Sequence, residues 1–475
     1  MKRVSSCWLL VLGLVFMALH ACSGQGEDSS AATAPMEEKE KRALYAAIES
    51  FVGKGWNGSG LYPDPCGWSP IQGVSCDLFN GLWYPTVISI GPVLDNSLQC
   101  APDAKFSPQL FDLRHLKTLS FYNCFPASNP TAIPTTSWEK LSGSLETLEF
   151  RTNPGLTGAV PVSLGRLASL QSLVIVENNL TGIVPAELGA LPKLRRLVLS
   201  GNRLSGPIPA TLGNDRRAEL LIMDLSKNYL TGSLPSSLGG LRGLLKMDLS
   251  NNRLQGSIPP ELGALKNLTL LDLRNNSLTG GLPQFVQGMV SLQDLLLSNN
   301  PLGGSLVQSG WDKLTDLATL DLSNLRLVGT IPESMAVLTG LRFLALDHNR
   351  LTGSVPAKLA KLPNIGALYL NGNNLTGTLE FSTGFYQRMG RRFASWDNPG
   401  LCYNIAAVDA AHAPSGVVVC KDLQEPSVGA RDKEDGRKPE ASSSLTASSF
   451  GLSAAKVSGF WYLVMVAASL VPMLL

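Results

Sequence analysis

Histidine is nearly missing from this chain, with four in 475 residues, and aromatic residues make up only 7%. Four imidazoles, and eight cysteines without one C-x-x-C pair, leave a zinc site short of ligands. A strong charge of either sign is missing too. Lys and Arg number 39 against 37 Asp and Glu, and no basic stretch is present to track a nucleic-acid backbone. G-x-S-x-G, P-loop and kinase motifs do not occur. These absences speak against an enzyme, against a cofactor or metal, and against a nucleic-acid partner. What the chain has is 46 glycines, 30 prolines and 44% apolar residues. Frequent turns in an apolar chain direct attention to internal repeats.

The pattern L-x-x-L-x-L-x-x-N-x-L-x-G-x-I-P starts at Leu145, Leu170, Leu194, Leu220, Leu244, Leu268, Leu292, Leu317, Leu341 and Ile365, in steps of 24 to 26 residues. An irregular copy starts at Leu116, with Leu119 and Phe121 in place and Cys124 at the Asn position. Alternate side chains of a strand share a face, so the leucines of each copy point one way. A single copy cannot bury them, whereas stacked copies close a continuous core, each buried Leu contributing roughly 1.5–3 kcal/mol. The Asn position is held by Asn153, Asn178, Asn202, Asn228, Asn252, Asn276, Asn300, Asn349 and Asn373. Inside a tight turn such an amide bonds backbone groups that the strands leave unpaired, which gives a polar ladder. Leu325 replaces one rung, and a turn looser by about 1 kcal/mol is expected there.

The second half of each copy reads like Leu180-Thr181-Gly182-Ile183-Val184-Pro185 or Leu351-Thr352-Gly353-Ser354-Val355-Pro356. Over roughly residues 113–380 these motifs resemble the plant extracellular leucine-rich-repeat class. The resemblance implies an α/β solenoid: a right-handed superhelix of about 11 plant-type repeats, each with a second short strand, between disulfide-bonded caps. Proline ends that second strand because it has no N–H to donate. The copy ending Gly377-Thr378-Leu379-Glu380 lacks the proline, so the stack is expected to end there.

Exposed strand positions of such a solenoid line its concave face, the expected binding surface. Strand centres carry Glu149, Val174, Val198, Asp224, Asp248, Asp272, Leu296, Asp321, Ala345 and Tyr369, and serines recur two places later. This reads as a solvated acidic and hydroxyl strip. The less standard residues Arg151, Val174, Val176, Val198, Arg274, Phe343, His348 and Tyr369 are the candidate ligand contacts, since exposed apolar and aromatic groups on a polar face suggest contact. Asp224, Asp248 and Asp272 recur because the strands do, and a ladder without a pocket argues against a glycosidase pair.

Both ends read as addresses. Lys2 and Arg3 precede an apolar run from Trp8 to Leu19 and small residues from Ala21 to Gly24, the order of a signal peptide over 1–24. Export favours disulfides for the six cysteines that remain. Fifteen pairings exist, and the nearest-neighbour set is expected: Cys66–Cys76, Cys100–Cys124 and Cys402–Cys420. N-x-[ST] sequons mark Asn57, Asn179, Asn267, Asn275 and Asn374 as candidate N-glycosylation sites. Residues 421–456 are charged, then small and polar, and read as a disordered stalk. Residues 457–475 carry no charge and fit either of two readings. One is a glycolipid (GPI) signal with attachment at Ala447 or Ser442, and the other is a membrane span without the basic flank that usually holds one.

Residues 25–112 form the expected N-terminal cap, 113–385 the repeats and 386–420 the C-terminal cap. Leu44, Ala47, Ile48 and Phe51 fall on one face of a helix over 37–52, ahead of Trp56, Cys66, Trp68 and Cys76. Together with Leu61-Tyr62-Pro63-Asp64-Pro65-Cys66-Gly67-Trp68 and Phe121-Tyr122-Asn123-Cys124-Phe125, this resembles the receptor-like proteins of plants. The resemblance implies a plasma-membrane glycoprotein on the extracellular side that binds a peptide, glycan or protein. It would signal through a transmembrane receptor-like kinase, in responses to microbes, a beneficial root fungus among them, or in development. The alternative is an apoplastic inhibitor or adaptor gripping a secreted enzyme such as a polygalacturonase.

Overall fold

Alternating leucines build the strands, and stacking buries them. In the computed structural model, residues 34–420 are described apart from 93–96, 214–218, 283, 309 and 409. The signal peptide, the stalk, the apolar tail and the attachment candidates Ala447 and Ser442 lie outside the described residues. Each repeat adds one short strand, such as Ile222–Asp224, Lys246–Asp248 or Leu270–Asp272, to a 14-stranded sheet. Neighbouring repeats pair in parallel and in register, so Met223, Met247 and Leu271 stack as one buried row. The chain returns through 3-10 turns such as Ser236–Gly240 and Pro260–Ala264. Their approach is close: a Cβ at Gly239 would run into the Glu261 carbonyl. The second-half strands form smaller sheets, the largest running from Val328–Thr330 through Arg350–Gly353 and Asn374–Leu379 to Gly400–Tyr403 and Val418–Val419.

The asparagine rungs hold the turns together. Asn276 donates from Nδ2 to the Leu249, Leu273 and Arg274 carbonyls at 3.0, 3.1 and 3.3 Å, while its Oδ1 accepts the Leu254 N–H at 3.0 Å. Four backbone groups that a tight turn strands away from water are thereby paired by one buried side chain. At the missing rung Leu325 is fully buried, and Asn349 of the next repeat reaches back: its Oδ1 accepts the N–H of both Leu325 and Leu327 at 3.0 Å. That turn is stitched from one side only.

Aromatic plugs close both ends. The helix Glu38–Val52 (α1) buries Leu44, Ala47, Ile48 and Phe51. The Phe51 ring lies 4.7 Å from Phe121, which stacks at 5.3 Å on Phe150 of the next repeat. The hairpin of Val74–Phe79 (β1) and Leu82–Ile90 (β2) starts the sheet, with β2 parallel to Thr118–Tyr122 (β3). At the other end Phe381, Phe385, Tyr386 and Phe393 cluster around the helix Thr383–Met389 (α2), whose N-cap Ser382 accepts the Phe385 N–H. Disulfides join Cys66 to Cys76, Cys100 to Cys124 and Cys402 to Cys420.

The expected end of the stack at 377–380 comes one rung early. Phe393–Ala394 adds a further parallel strand beside Ala367–Tyr369, and Asn398 continues the ladder. Asn398 donates to the Leu370 and Ser395 carbonyls and accepts the Leu375 N–H at 3.0 Å. Phe393 and Ser395 take the places of two leucines, which hides this rung from the consensus.

Candidate functional site

The concave face is a set of rungs in which each strand offers one outward residue at its centre and another two places on. At the N-terminal end Glu149, Val174 and Val198 lie side by side in register, followed by Asp224, Asp248 and Asp272. Val174 and Val198 are buried, which corrects the expectation that they are exposed apolar contacts. Strands about 4.8 Å apart let longer neighbours shade a short β-branched side chain. Val176 is half-buried, and beside it Arg151 pairs with Glu149 at 3.0 Å.

The acidic rungs have structural work. Asp224 Oδ1 accepts the Ser226 N–H and hydroxyl at 3.0 and 2.7 Å, and Asp248 Oδ1 accepts the Ser250 N–H at 2.9 Å. Each carboxylate thus caps its own turn, the local bonding that Asp and Ser offer in such positions. Ser200, Ser226, Ser250 and Ser298 are buried, so the expected hydroxyl strip is not a surface. Asp272 is fully buried and held by Arg274 at 2.6 Å, and the Arg274 side chain is only 28% exposed. Burial, then repulsion from Asp272 and Asp224, pushes the Asp248 carboxyl well above the usual range. Among the described residues no group of three His, Cys, Asp or Glu could hold a metal ion.

The C-terminal rungs differ. Phe343 and Tyr369 are half-buried on adjacent strands with ring centroids 5.7 Å apart. His348 is turned outward by a positive φ, with its Nε2 3.8 Å from Asp347 and 3.5 Å from the Asn371 amide. Burial raises the Asp347 carboxyl. The structure thus sets Phe343 and Tyr369 together, with His348 further along the same two rungs beside Asp347 and Asn371. Arg274 lies in the middle and Arg151 and Val176 at the other end.

A feature the consensus reading missed sits at the edge of this face. Asn251, Asn275, Asn299 and Asn324 form a second amide chain, each Nδ2 donating to the Oδ1 before it at 2.8, 2.7 and 2.9 Å. All four have φ between 51 and 59°, left-handed backbone that Asn tolerates better than most residues. Doubled asparagines at 251–252, 275–276 and 299–300 were the available signal. The sequon residues are spread over the molecule: Asn57, Asn267, Asn275 and Asn374 are exposed and Asn179 is half-buried.

Comparison with known proteins agrees with this architecture. Leucine-rich-repeat family models match residues 143–204, 219–241, 243–265 and 267–289. Piriformospora indica-insensitive protein 2 of Arabidopsis thaliana is 50% identical over 174 residues, 36% of this chain and 40% of that protein. Receptor like protein 29 of the same plant is 34% identical over 187 residues, 38% of this chain and 37% of its own length. The matched stretches therefore span less than half of either relative. Among solved structures, the plant peptide hormone receptor RGFR1, in complex with RGF2, superposes with a TM-score of 0.56 at 29% identity, covering 63% of this chain and 46% of the receptor. No helix among the described residues is long and apolar enough to cross a membrane. The chain is a leucine-rich-repeat solenoid, and it resembles the receptor-like proteins of plants.

Proposed function

We propose that this chain is a cell-surface receptor-like protein that binds an extracellular ligand on its concave face and signals through a partner membrane kinase. Its setting would be responses to microbes, such as a beneficial root fungus, or development. The observation that carries this reading is the half-buried Phe343–Tyr369 pair, with Asp347 and the exposed His348 further along the same rungs, on a face whose acidic rungs are bonded to their own turns. Aromatic anchors with convergent polar groups are the usual hot spots of recognition. The likeness to a receptor solved with a peptide hormone supports a peptide as ligand class. Arg151, Val176 and Arg274 extend the footprint, and the buried Val174 and Val198 lie outside it. A glycan at the exposed Asn275 would crowd the face at Arg274.

The test is surface crosslinking in plant cells carrying the tagged protein, treated with a root-fungus extract. Recovery of a membrane kinase with wild type, and its loss in Phe343→Ala/Tyr369→Ala, is the expected result. Recovery of a secreted polygalacturonase, with nanomolar inhibition by the purified protein, would move the assignment to an apoplastic inhibitor. Treating the same cells with phosphatidylinositol-specific phospholipase C distinguishes the anchors: release of the tag marks a glycolipid at Ala447 or Ser442, retention a span.

A further inference from the structure

Away from the concave face, a cleft of about 440 Å³ opens in the N-terminal cap, between the start of α1, β2 and the turn around Asp112–His115. At its wall Glu40 is only 7% exposed. The Arg114 backbone N–H bonds its carboxyl, yet Oε2 is buried without a partner. A buried carboxylate oxygen left unpaired is costly, so a group that supplies a donor there has a ready-made site. His115 Nδ1 is also buried and unpartnered, and its ring lies 4.0 Å from that of Tyr84.

The charges around Glu40 indicate which donor fits. From α1 and the residue before it come Glu37 and Lys39, from the facing turn Asp112, and from β2 the Tyr84 hydroxyl, bonded to Glu37 at 3.4 Å. Glu37 and Asp112 both disfavour a charged Glu40, and Lys39 offsets them least of all. The basic residues Lys39, Arg42 and Arg114 are exposed, whereas the buried group is the acid. A cation at Oε2 would offset the cost of the buried charge and the repulsion from its acidic neighbours, against an aromatic wall that attracts positive charge.

We propose that this cleft binds a ligand carrying an ammonium or guanidinium group, which Glu40 holds and Glu37 and Asp112 flank. The site is independent of the concave face. Burial and the neighbouring acids raise Glu40 to about 7, so a cation must displace its proton at lower pH. Titration calorimetry on the intact protein tests this with 1,4-diaminobutane and, separately, N-acetyl-lysine methylamide. Both probes keep their charge from pH 6 to pH 8. Single-site binding is expected at pH 8, about tenfold weaker at pH 6 from the loss of ionised Glu40. It is lost in Glu40→Gln and kept in Glu49→Gln, on the exposed side of the same helix. Tighter binding of diaminobutane assigns a free polyamine, and tighter binding of the capped lysine a basic peptide. No binding at pH 8, or binding indifferent to both pH and Glu40→Gln in wild-type and variant titrations, overturns the proposal.

Discussion

Asn276 and Asn275 are consecutive residues of one turn, and each belongs to a ladder that runs along the stack. The inner one is buried and bonds four backbone groups that have no access to water. The outer one is exposed and bonds only other asparagines, at equally short distances. Bond length therefore says little about worth; what matters is whether water can replace the partner. The two ladders come apart at residues 324 and 325, where Asn324 continues the outer chain and Leu325 interrupts the inner one.

The largest effect falls where an inner rung serves two turns. Asn349→Leu strands the amides of Leu325 and Leu327 as well as three carbonyls, and is expected to cost about 4 kcal/mol. Asn276→Leu, with a full rung on either side, is expected to cost about 3 kcal/mol. Urea denaturation measures both. Equal losses would mean that the Leu325 turn draws nothing extra from Asn349.

Glu40 and Glu49 repeat the contrast on one helix. Glu40 binds its proton more tightly in the native state, at about 7 against an ordinary 4.5, so the native state loses stability as pH rises from about 4.5 through 7. Relative to Glu40→Gln, the wild type is expected to fall by about 2 kcal/mol between pH 4.5 and pH 8, less than the full shift implies because the cleft admits solvent. Glu49→Gln, on the exposed face, is the control for a change of side chain on the same helix. Melting curves across that range decide it.

Two arginines on the concave face sharpen the contrast further. Arg274 holds a fully buried Asp272, whereas Arg151 holds a partly exposed Glu149. Arg274→Ala leaves a buried carboxylate with only its backbone donor and is expected to cost about 3 kcal/mol. Asp272→Asn in the same chain is expected to recover part of it. Arg151→Ala is expected to cost about 0.5 kcal/mol. A loss for Arg151→Ala as large as that for Arg274→Ala would place Glu149 in a drier site than its exposure indicates.

Residues whose role is fixed by the repeat were legible in the sequence, and residues whose role is fixed by neighbours were not. The leucine spacing located the core rows, and the Asn positions located the inner ladder, because burial demands the same residue every 24 or so positions. Asn398 falls inside the expected C-terminal cap, and with Phe393 and Ser395 where leucine is expected it does not read as a rung. Val174 and Val198 were misplaced because alternation predicts which face a side chain takes, not how far adjacent rungs cover it. Of the candidate contacts, Phe343 and Tyr369 stand together only because their strands do. Glu40 gave no signal at all: a glutamate in the first turn of a helix is ordinary, and only the fold sets it against Asp112 and His115.

The smallest effect is the sharpest test of the two-ladder contrast. Asn275→Ala removes two amide bonds of 2.8 and 2.7 Å, as many short side-chain bonds as many buried networks contain. Both lie in water, which replaces them at once, so the change in unfolding free energy is expected to stay within about 0.5 kcal/mol. Alanine at φ 56° adds backbone strain of about 1 kcal/mol, so the bound is read on Asn275→Gly, which removes the same two bonds without that strain. Asn275 is also a sequon residue, and a glycan on Nδ2 would take one of the hydrogens that the outer chain uses. If mass spectrometry finds Asn275 glycosylated and the protein melts unchanged, the outer ladder is dispensable, as its exposure requires. A loss approaching that of Asn276→Leu would mean that the outer amides act as a cooperative row, and the distinction drawn from burial would fail at that position.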